Sequence, residues 1–376
     1  MRPAVLFCVL SACSSGGITS SSNDSAGTPP PRTLASSPAS TPAPDAGIAV
    51  APDGAPIITP EQAIASLPHT HCGYLGYSDA RGLQTFADNV AFFDVIHPDW
   101  YSVDVDGIHL VPYRGANDSH VFQIAQGAGI RVIPMIAGVD DPVRIEKMLD
   151  SDDRRAAHVA EIVAIAVANH YDGIDIDYEH LPASYRDKLT RFYEDLAAAM
   201  HAQGMEASAA VRGDFNDVST YDYGAVSRAL DHLHVMVYDF HWGKTHAGPL
   251  APLGWARAVT DLAVATGRAE KFIFALANYA YIPGAFCTTT DCLKLCTGDY
   301  KTTTSELSTC SFNQTDHFDG GRQPNCAVEG GTMYYEDAAS LEEKIVVAKE
   351  AGLGGIGYWT VGGEPDGFFG AITAHY

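Results

Sequence analysis

Residues 171–179, Y-D-G-I-D-I-D-Y-E, constrain the fold of this chain more than any other stretch. Asp175, Asp177 and Glu179 share one parity, while Ile174, Ile176 and Tyr178 share the other. This is the alternation of a β-strand with its side chains on opposite faces. An apolar, Ala-rich helical run precedes the strand, and Pro182 opens a long amphipathic helix behind it. Flanking helices would cover the Ile/Tyr face, so the carboxylates point into whatever the strands enclose. Neighbouring carboxylates on such a face lie roughly 6–7 Å apart, and like charges that close in partial burial cannot all ionise. A carboxyl held protonated near neutral pH is what a general acid requires. Glu179, at the C-terminal end of the strand, stands where α/β barrels keep their chemistry. A D-x-D-x-E run can also bind a cation, but the Gly and the distant Glu of a calcium loop are missing. Neither a metal nor a cofactor is expected.

The rest of the chain repeats the same alternation. Short apolar runs at 72–77, 92–97, 131–136, from Asp172, 206–211, 233–238, 272–276 and 354–359 read as strands. They are separated by helical patterns at 84–89, 120–126, 142–149 with 156–169, from Pro182, 223–230, 255–265 and 341–350. On the helix after Pro182, Tyr185, Leu189, Phe192, Leu196 and Met200 step by three and four and form a core stripe. Eight strands alternating with helices predict an α/β fold, a closed parallel (β/α)8 TIM barrel. A Cys-rich insertion at 285–332 separates strand seven from the last helix. Arg212-Gly-Asp214 falls where strand five ends, which places it on the barrel rim. His234, His241 and His246 cluster near strand six without the spacing of a metal-binding helix.

D-G-I-D-I-D-Y-E resembles the D-x-x-D-x-D-x-E signature of glycoside hydrolase family 18, the chitinase-like barrels. Met236-Val-Tyr238-Asp239 is similar to that family's M-x-Y-D element, and Gly355-Ile-Gly-Tyr-Trp359 to its eighth strand. The segment 333–344 resembles the stretch before the last helix, and the insertion falls where chitinases carry an extra subdomain. The likeness covers about residues 71–376. Two departures, M-I-A-G-V-D-D after strand three and the Cys-rich insertion, shift it toward the spore-cortex-lytic, peptidoglycan-directed branch. That branch's G-P-L-A-P-L-like loop and W-x-x-G-G-E ending appear at 248–253 and 359–364.

The resemblance implies hydrolysis of β-1,4 bonds beside N-acetylglucosamine in chitin-like or peptidoglycan glycans, with retention of configuration. The attacking group would be the substrate's own acetamido oxygen. Glu179 would protonate the leaving oxygen, Asp177 would hold the acetamido N–H, Asp175 would share a proton with Asp177, and Tyr238 would steady the acetamido oxygen. Trp359 would floor the sugar site, with Asp172, Met236, Asp239, Tyr77 and Tyr279 completing the substrate contacts. The rival reading is a non-hydrolytic chitinase-like lectin. Loss of the acid usually marks that rival, and Glu179 is present.

The N-terminus carries one Arg, a short apolar run and small residues before Cys13, a secretory signal over 1–12 and no membrane span. Leu10-Ser11-Ala12-Cys13 resembles a bacterial lipobox with Cys13 lipidated; an ordinary cleaved signal is the other reading. Residues 13–60, rich in Ser, Thr, Pro and Ala, read as a tether, with the barrel from 61 to 376. Export to the cell envelope is expected. Of 8 cysteines, Cys8 leaves with the signal and Cys13 goes to lipid. The even remainder, Cys72, Cys287, Cys292, Cys296, Cys310 and Cys326, suits disulfides, because C-x4-C-x3-C is poor zinc spacing. A net charge of -23 argues against nucleic acid and is indifferent to a neutral polysaccharide. A monomer is expected.

Overall fold

A computed structural model describes residues 71–76, 80–113, 115–138, 141–213, 220–242, 248–282, 296–299, 314–328 and 331–376. Eight parallel strands form a closed ring: β1 (Cys72–Leu75), β2 (Val95–Val103), β3 (Met135–Ala137), β4 (Gly173–Asp177), β5 (Glu206–Arg212), β6 (His232–Met236), β7 (Phe272–Ala277) and β8 (Gly355–Trp359). Each strand pairs with the next in sequence. β1 then bonds both β8, at Tyr74 and Trp359, and β2, at Cys72 and Val95, which closes the barrel. The predicted (β/α)8 barrel is therefore the architecture found.

The boundaries differ where two signals compete. β2 starts three residues later than the apolar pattern suggests, because Val90–Phe92 forms a 3-10 turn. The strand then continues through the Pro-Asp-Trp-Tyr run that reads as loop. The third strand splits, with Arg131–Val132 and Met135–Ala137 pairing β2 on either side of Ile133 and Pro134. Pro134 has no N–H to donate to a ladder.

The strand β4 is set from both ends. Ser151 caps the helix Asp152–Asn169, which stops at His170 in the left-handed region (φ 57), and the chain turns into the strand. Gly173 is required there, since a Cβ would meet the Glu206 carbonyl oxygen at 2.5 Å. Behind the strand, Pro182 leads through a 3-10 turn into the helix Arg186–His201. Leu189, Phe192, Leu196 and Met200 are all buried on that helix, together with Tyr193. Tyr185 is only partly buried and hydrogen-bonds Asp150 instead. Tyr178, on the outward face of β4, stacks on Phe192 at 5.6 Å and bonds His158 Nε2 at 2.6 Å. Phe192→Ala would cost about 3–5 kcal/mol through lost burial and the cavity left behind.

Between β7 and the helix Ala338–Glu350 lies a five-stranded antiparallel sheet, ordered Cys296–Asp299, Tyr279–Ile282, Gly331–Tyr334, Gly321–Val328, Gln314–Phe318. The segment that reads as weakly periodic thus contains strands, and its sheet begins at Tyr279, before the expected boundary. Cys326 is disulfide-bonded. Cys287, Cys292 and Cys310 lie outside the described residues, as do Cys13, the signal and the tether. Cys72 corrects the disulfide expectation. It is a free, fully buried thiol, because it shares the inward parity of Tyr74 on β1 and so points into the barrel interior.

Candidate active site

The inward faces of β4, β5 and β1 build the acid site in layers. From β4 come Asp175 and, above it, Asp177, while Ile174 and Ile176 are fully buried on the helix side. The inverted polarity predicted for this strand is what the barrel displays. From β5 comes Ser208, whose hydroxyl donates to Asp175 Oδ1 at 2.6 Å; from β1 comes Tyr74, whose hydroxyl donates to Asp175 Oδ2 at 2.9 Å. Both oxygens of Asp175 are thus held. Burial raises its carboxyl above the usual range, with the two hydroxyls acting in the opposite direction.

Asp177 is different. It is 8% exposed, and its Oδ1 is buried with no hydrogen-bond partner among the described residues. Burial pushes its pKa well up, and the neighbouring charges of Glu179, Asp175 and Asp99 push the same way, against the guanidinium of Arg212. Glu179 lies two residues beyond the end of β4, at the barrel mouth, with its side chain 13% exposed. Arg212, the last residue of β5, donates from Nη1 to Glu179 Oε2 at 3.1 Å. Burial raises the Glu179 carboxyl, and Arg212 partly offsets this. The result is a ladder of coupled acids that titrate as a group. The lower member is fully hydrogen-bonded, the middle one carries a buried oxygen with no partner among the described residues, and the upper one faces the opening.

Tyr238 and Asp239 follow β6 at the same end of the barrel, Asp239 with φ 64. The Tyr238 ring meets Tyr279 edge-on at 5.9 Å, and the Tyr279 hydroxyl donates to the Asp239 carboxylate. Met236 ends β6 in register with Arg212 and Ala275. Trp359 ends β8 beside Tyr74, with ring centroids 5.7 Å apart. These expected contacts gather at the C-terminal ends of the strands. Tyr77 lies outside the described residues. Asp172 is a correction: it precedes β4 at the opposite end of the barrel, accepts the Val132 N–H at 2.8 Å, and lines a cavity of about 340 Å³ with Arg131 and Glu206. The acid at the start of the motif fastens β4 to the third strand and is remote from the chemistry.

Ser208, Tyr74 and Asp99 were not anticipated, and Arg212 was placed only as a rim residue. Strand parity could have found the first two, since Ser208 lies two residues after Glu206 on one face of β5 and Tyr74 two after Cys72 on β1. His180 and Trp242 also stack at the mouth, with centroids 6.0 Å apart and planes at 13°. His180 directly follows Glu179.

Residues 96–364 match the model of glycosyl hydrolases family 18. A cortical fragment-lytic enzyme of Bacillus subtilis (strain 168) is 24% identical over 228 residues, 57% of this chain and 52% of that protein. The di-N-acetylchitobiase of Rattus norvegicus is 29% identical over 177 residues, 43% of this chain and 46% of that protein. The chain spans about half the length of the curated relatives it matches. Among solved structures, a chitinase from Chromobacterium violaceum ATCC 12472 superposes with a TM-score of 0.70 at 22% identity, covering 81% of this chain and 98% of that one. The four-acid strand, the closed barrel and the family match over most of the chain agree, and the protein belongs to family 18 of the glycosyl hydrolases.

Proposed function

We propose that this protein is a retaining glycoside hydrolase that cleaves β-1,4 bonds beside N-acetylglucosamine in chitin-like or peptidoglycan glycans, using the substrate's acetamido group as nucleophile. The observation that carries this reading is the Asp177 carboxyl, whose Oδ1 is buried without a hydrogen-bond partner among the described residues, between a fully bonded Asp175 and a mouth-facing Glu179. A carboxyl oxygen buried without a partner is costly unless a ligand completes it. The N–H of a 2-acetamido group is such a ligand, and the carbonyl oxygen at its other end is then turned toward the anomeric carbon.

Each step follows from the charges. Glu179, kept protonated by burial, donates to the leaving glycosidic oxygen as the bond breaks. Positive charge develops on the anomeric carbon, the acetamido oxygen closes on it, and an oxazolinium ion forms. Asp177 as carboxylate balances that charge, with Asp175 below it held by two hydroxyl donors. Tyr238 donates to the acetamido oxygen and holds it in line. Water, deprotonated by Glu179, then opens the ring from the face the leaving group vacated.

Export to the cell envelope through a lipid at Cys13 belongs to the same reading, supported by the lipobox-like run and by the disulfide at Cys326, which fits an oxidising compartment. The test is to incubate the protein with N-acetylated chitin oligomers, their deacetylated counterparts and purified peptidoglycan, and to identify products by mass and anomer by proton NMR. β-Anomer released first, from acetylated substrates only, is the expected result. Comparable turnover of deacetylated substrate overturns the acetamido mechanism, and binding without any cleavage favours a lectin.

A further inference from the structure

Below the catalytic acids, three side chains that the mechanism does not use converge in the barrel interior. Cys72 of β1, His97 of β2 and His234 of β6 are each 0% exposed, and one donor atom from each lies within 4.8 Å of the other two. Cys72 Sγ is 3.5 Å from His234 Nδ1, and the two imidazoles meet edge-to-face with centroids 4.6 Å apart. We propose that Cys72, His97 and His234 form a zinc site in the barrel core, with Asp175 as the outer partner of His234.

The hydrogen bonds around the rings orient their lone pairs suitably. His97 Nδ1 lies 3.0 Å from the Ile133 carbonyl oxygen, which can only accept, so that nitrogen carries the proton and Nε2 keeps the lone pair. His234 Nε2 lies 3.8 Å from Asp175 Oδ1, beyond hydrogen-bond distance, and the carboxylate charge there favours the tautomer whose Nδ1 lone pair faces the sulfur. A backbone carbonyl behind one ligating histidine and a carboxylate behind the other is the usual outer support of a metal site. Tetrahedral bond lengths to zinc put a thiolate sulfur and an imidazole nitrogen about 3.6 Å apart, close to the separation seen between Cys72 and His234.

Charge selects the ion. A divalent ion displaces the Cys72 thiol proton, which leaves to solvent, and the sulfur–zinc bond forms with one positive charge remaining. Asp175 as carboxylate cancels that charge, so the buried cluster is neutral overall. One thiolate with two imidazoles suits zinc, whereas calcium and magnesium require oxygen ligands. The rival account is a plain thiol-to-imidazole hydrogen bond between Cys72 and His234, which needs no ion.

The experiment refolds the full chain in buffered zinc, dialyses it against metal-free buffer, and measures zinc per chain by elemental analysis with the metal's X-ray absorption spectrum. One zinc per chain, with one sulfur and two nitrogens in its coordination shell, is expected. Cys72→Ala should abolish that zinc, and Cys326→Ser should retain it. A chain that binds no zinc, a sulfur-rich shell from the insertion, or equal zinc in Cys72→Ala overturns the site. Should Cys72→Ala fail to fold, the wild-type absorption spectrum alone decides, because the hydrogen-bonded alternative predicts no bound metal. A cobalt-loaded sample provides a second reading: the thiolate-to-cobalt charge-transfer band should be present in wild type and absent in His97→Gln.

Discussion

The strand β5 carries a charged residue at each end, and both belong to an arginine–glutamate pair. At its foot, Glu206 is 1% exposed, is held by Arg131, and accepts from His232 Nδ1 at 2.8 Å. At its mouth, Arg212 reaches Glu179 at 3.1 Å, with both side chains slightly open to solvent, and Asp177, with its partnerless Oδ1, lies alongside. The chemistry of the two pairs is the same and their accounting is opposite. The foot pair is saturated, so its charge is spent on holding β3, β5 and β6 together. The mouth pair leaves donors and acceptors for a substrate, and its acid stays titratable. A barrel can therefore be stable at one end and reactive at the other with identical residue types, the difference lying in how many partners each carboxylate has.

The largest effect expected from breaking this contrast is at the mouth. Glu179→Gln keeps an acceptor for Arg212 and removes the proton donor. Turnover on an acetylated substrate should fall on the order of 10⁴-fold, the upper end of what a positioned general acid contributes, with thermal unfolding unchanged. Turnover near the wild-type rate would remove Glu179 from the mechanism. Glu206→Gln should behave in the opposite sense. Taking the carboxylate charge of the 1%-exposed Glu206 away from Arg131, with Asp172 remaining nearby, should cost about 3 kcal/mol of stability, read by urea denaturation, with kcat of the folded fraction preserved. Loss of kcat without loss of stability would mean the two ends are coupled.

The barrel was legible because its strands and helices recur in the right order, and because the acids of β4 make sense only if strands enclose them. What was illegible depended on partners distant in sequence. Arg212 reads as part of a rim tripeptide until β5 is laid beside β4, which brings its guanidinium to Glu179, 33 positions away in sequence. An even cysteine count groups Cys72 with the insertion's cysteines, whereas its parity with Tyr74 places it inside the barrel. Asp172 was included because it belongs to the family's four-acid motif, yet a strand advances roughly 3.3 Å per residue, so the motif's two ends cannot serve one site. The insertion's strands were hidden by a Thr-, Gly- and Asp-rich composition that lacks alternation.

A smaller effect concerns pH. On the proposed mechanism Glu179 is the acid, so activity should be present below its pKa and lost as pH rises through it. Burial raises that pKa and Arg212 lowers it. Arg212→Met removes the lowering partner, so the alkaline limb of kcat/KM should move to higher pH while the fold persists. A limb that stays in place, or moves down, would mean that some other group sets it.

The smallest effect belongs to Asp172, and it tests whether the ends of β4 are independent. Its carboxylate accepts the Val132 N–H at 2.8 Å at the foot of the barrel, roughly 16 Å along the strand from Asp177. Asp172→Asn keeps an acceptor of the same shape, so stability should change by under about 1 kcal/mol. Asp172→Ala removes the acceptor and should cost about 0.5–1.5 kcal/mol, the net worth of one hydrogen bond. Neither change touches the acids above, so kcat and KM should match wild type for every substrate cleaved. The informative measurement is KM on a long N-acetylated oligomer, which would rise if Asp172 contacted any part of a bound glycan. A several-fold rise in KM with unchanged stability would return Asp172 to the binding surface and break the division between a foot that fastens and a mouth that reacts.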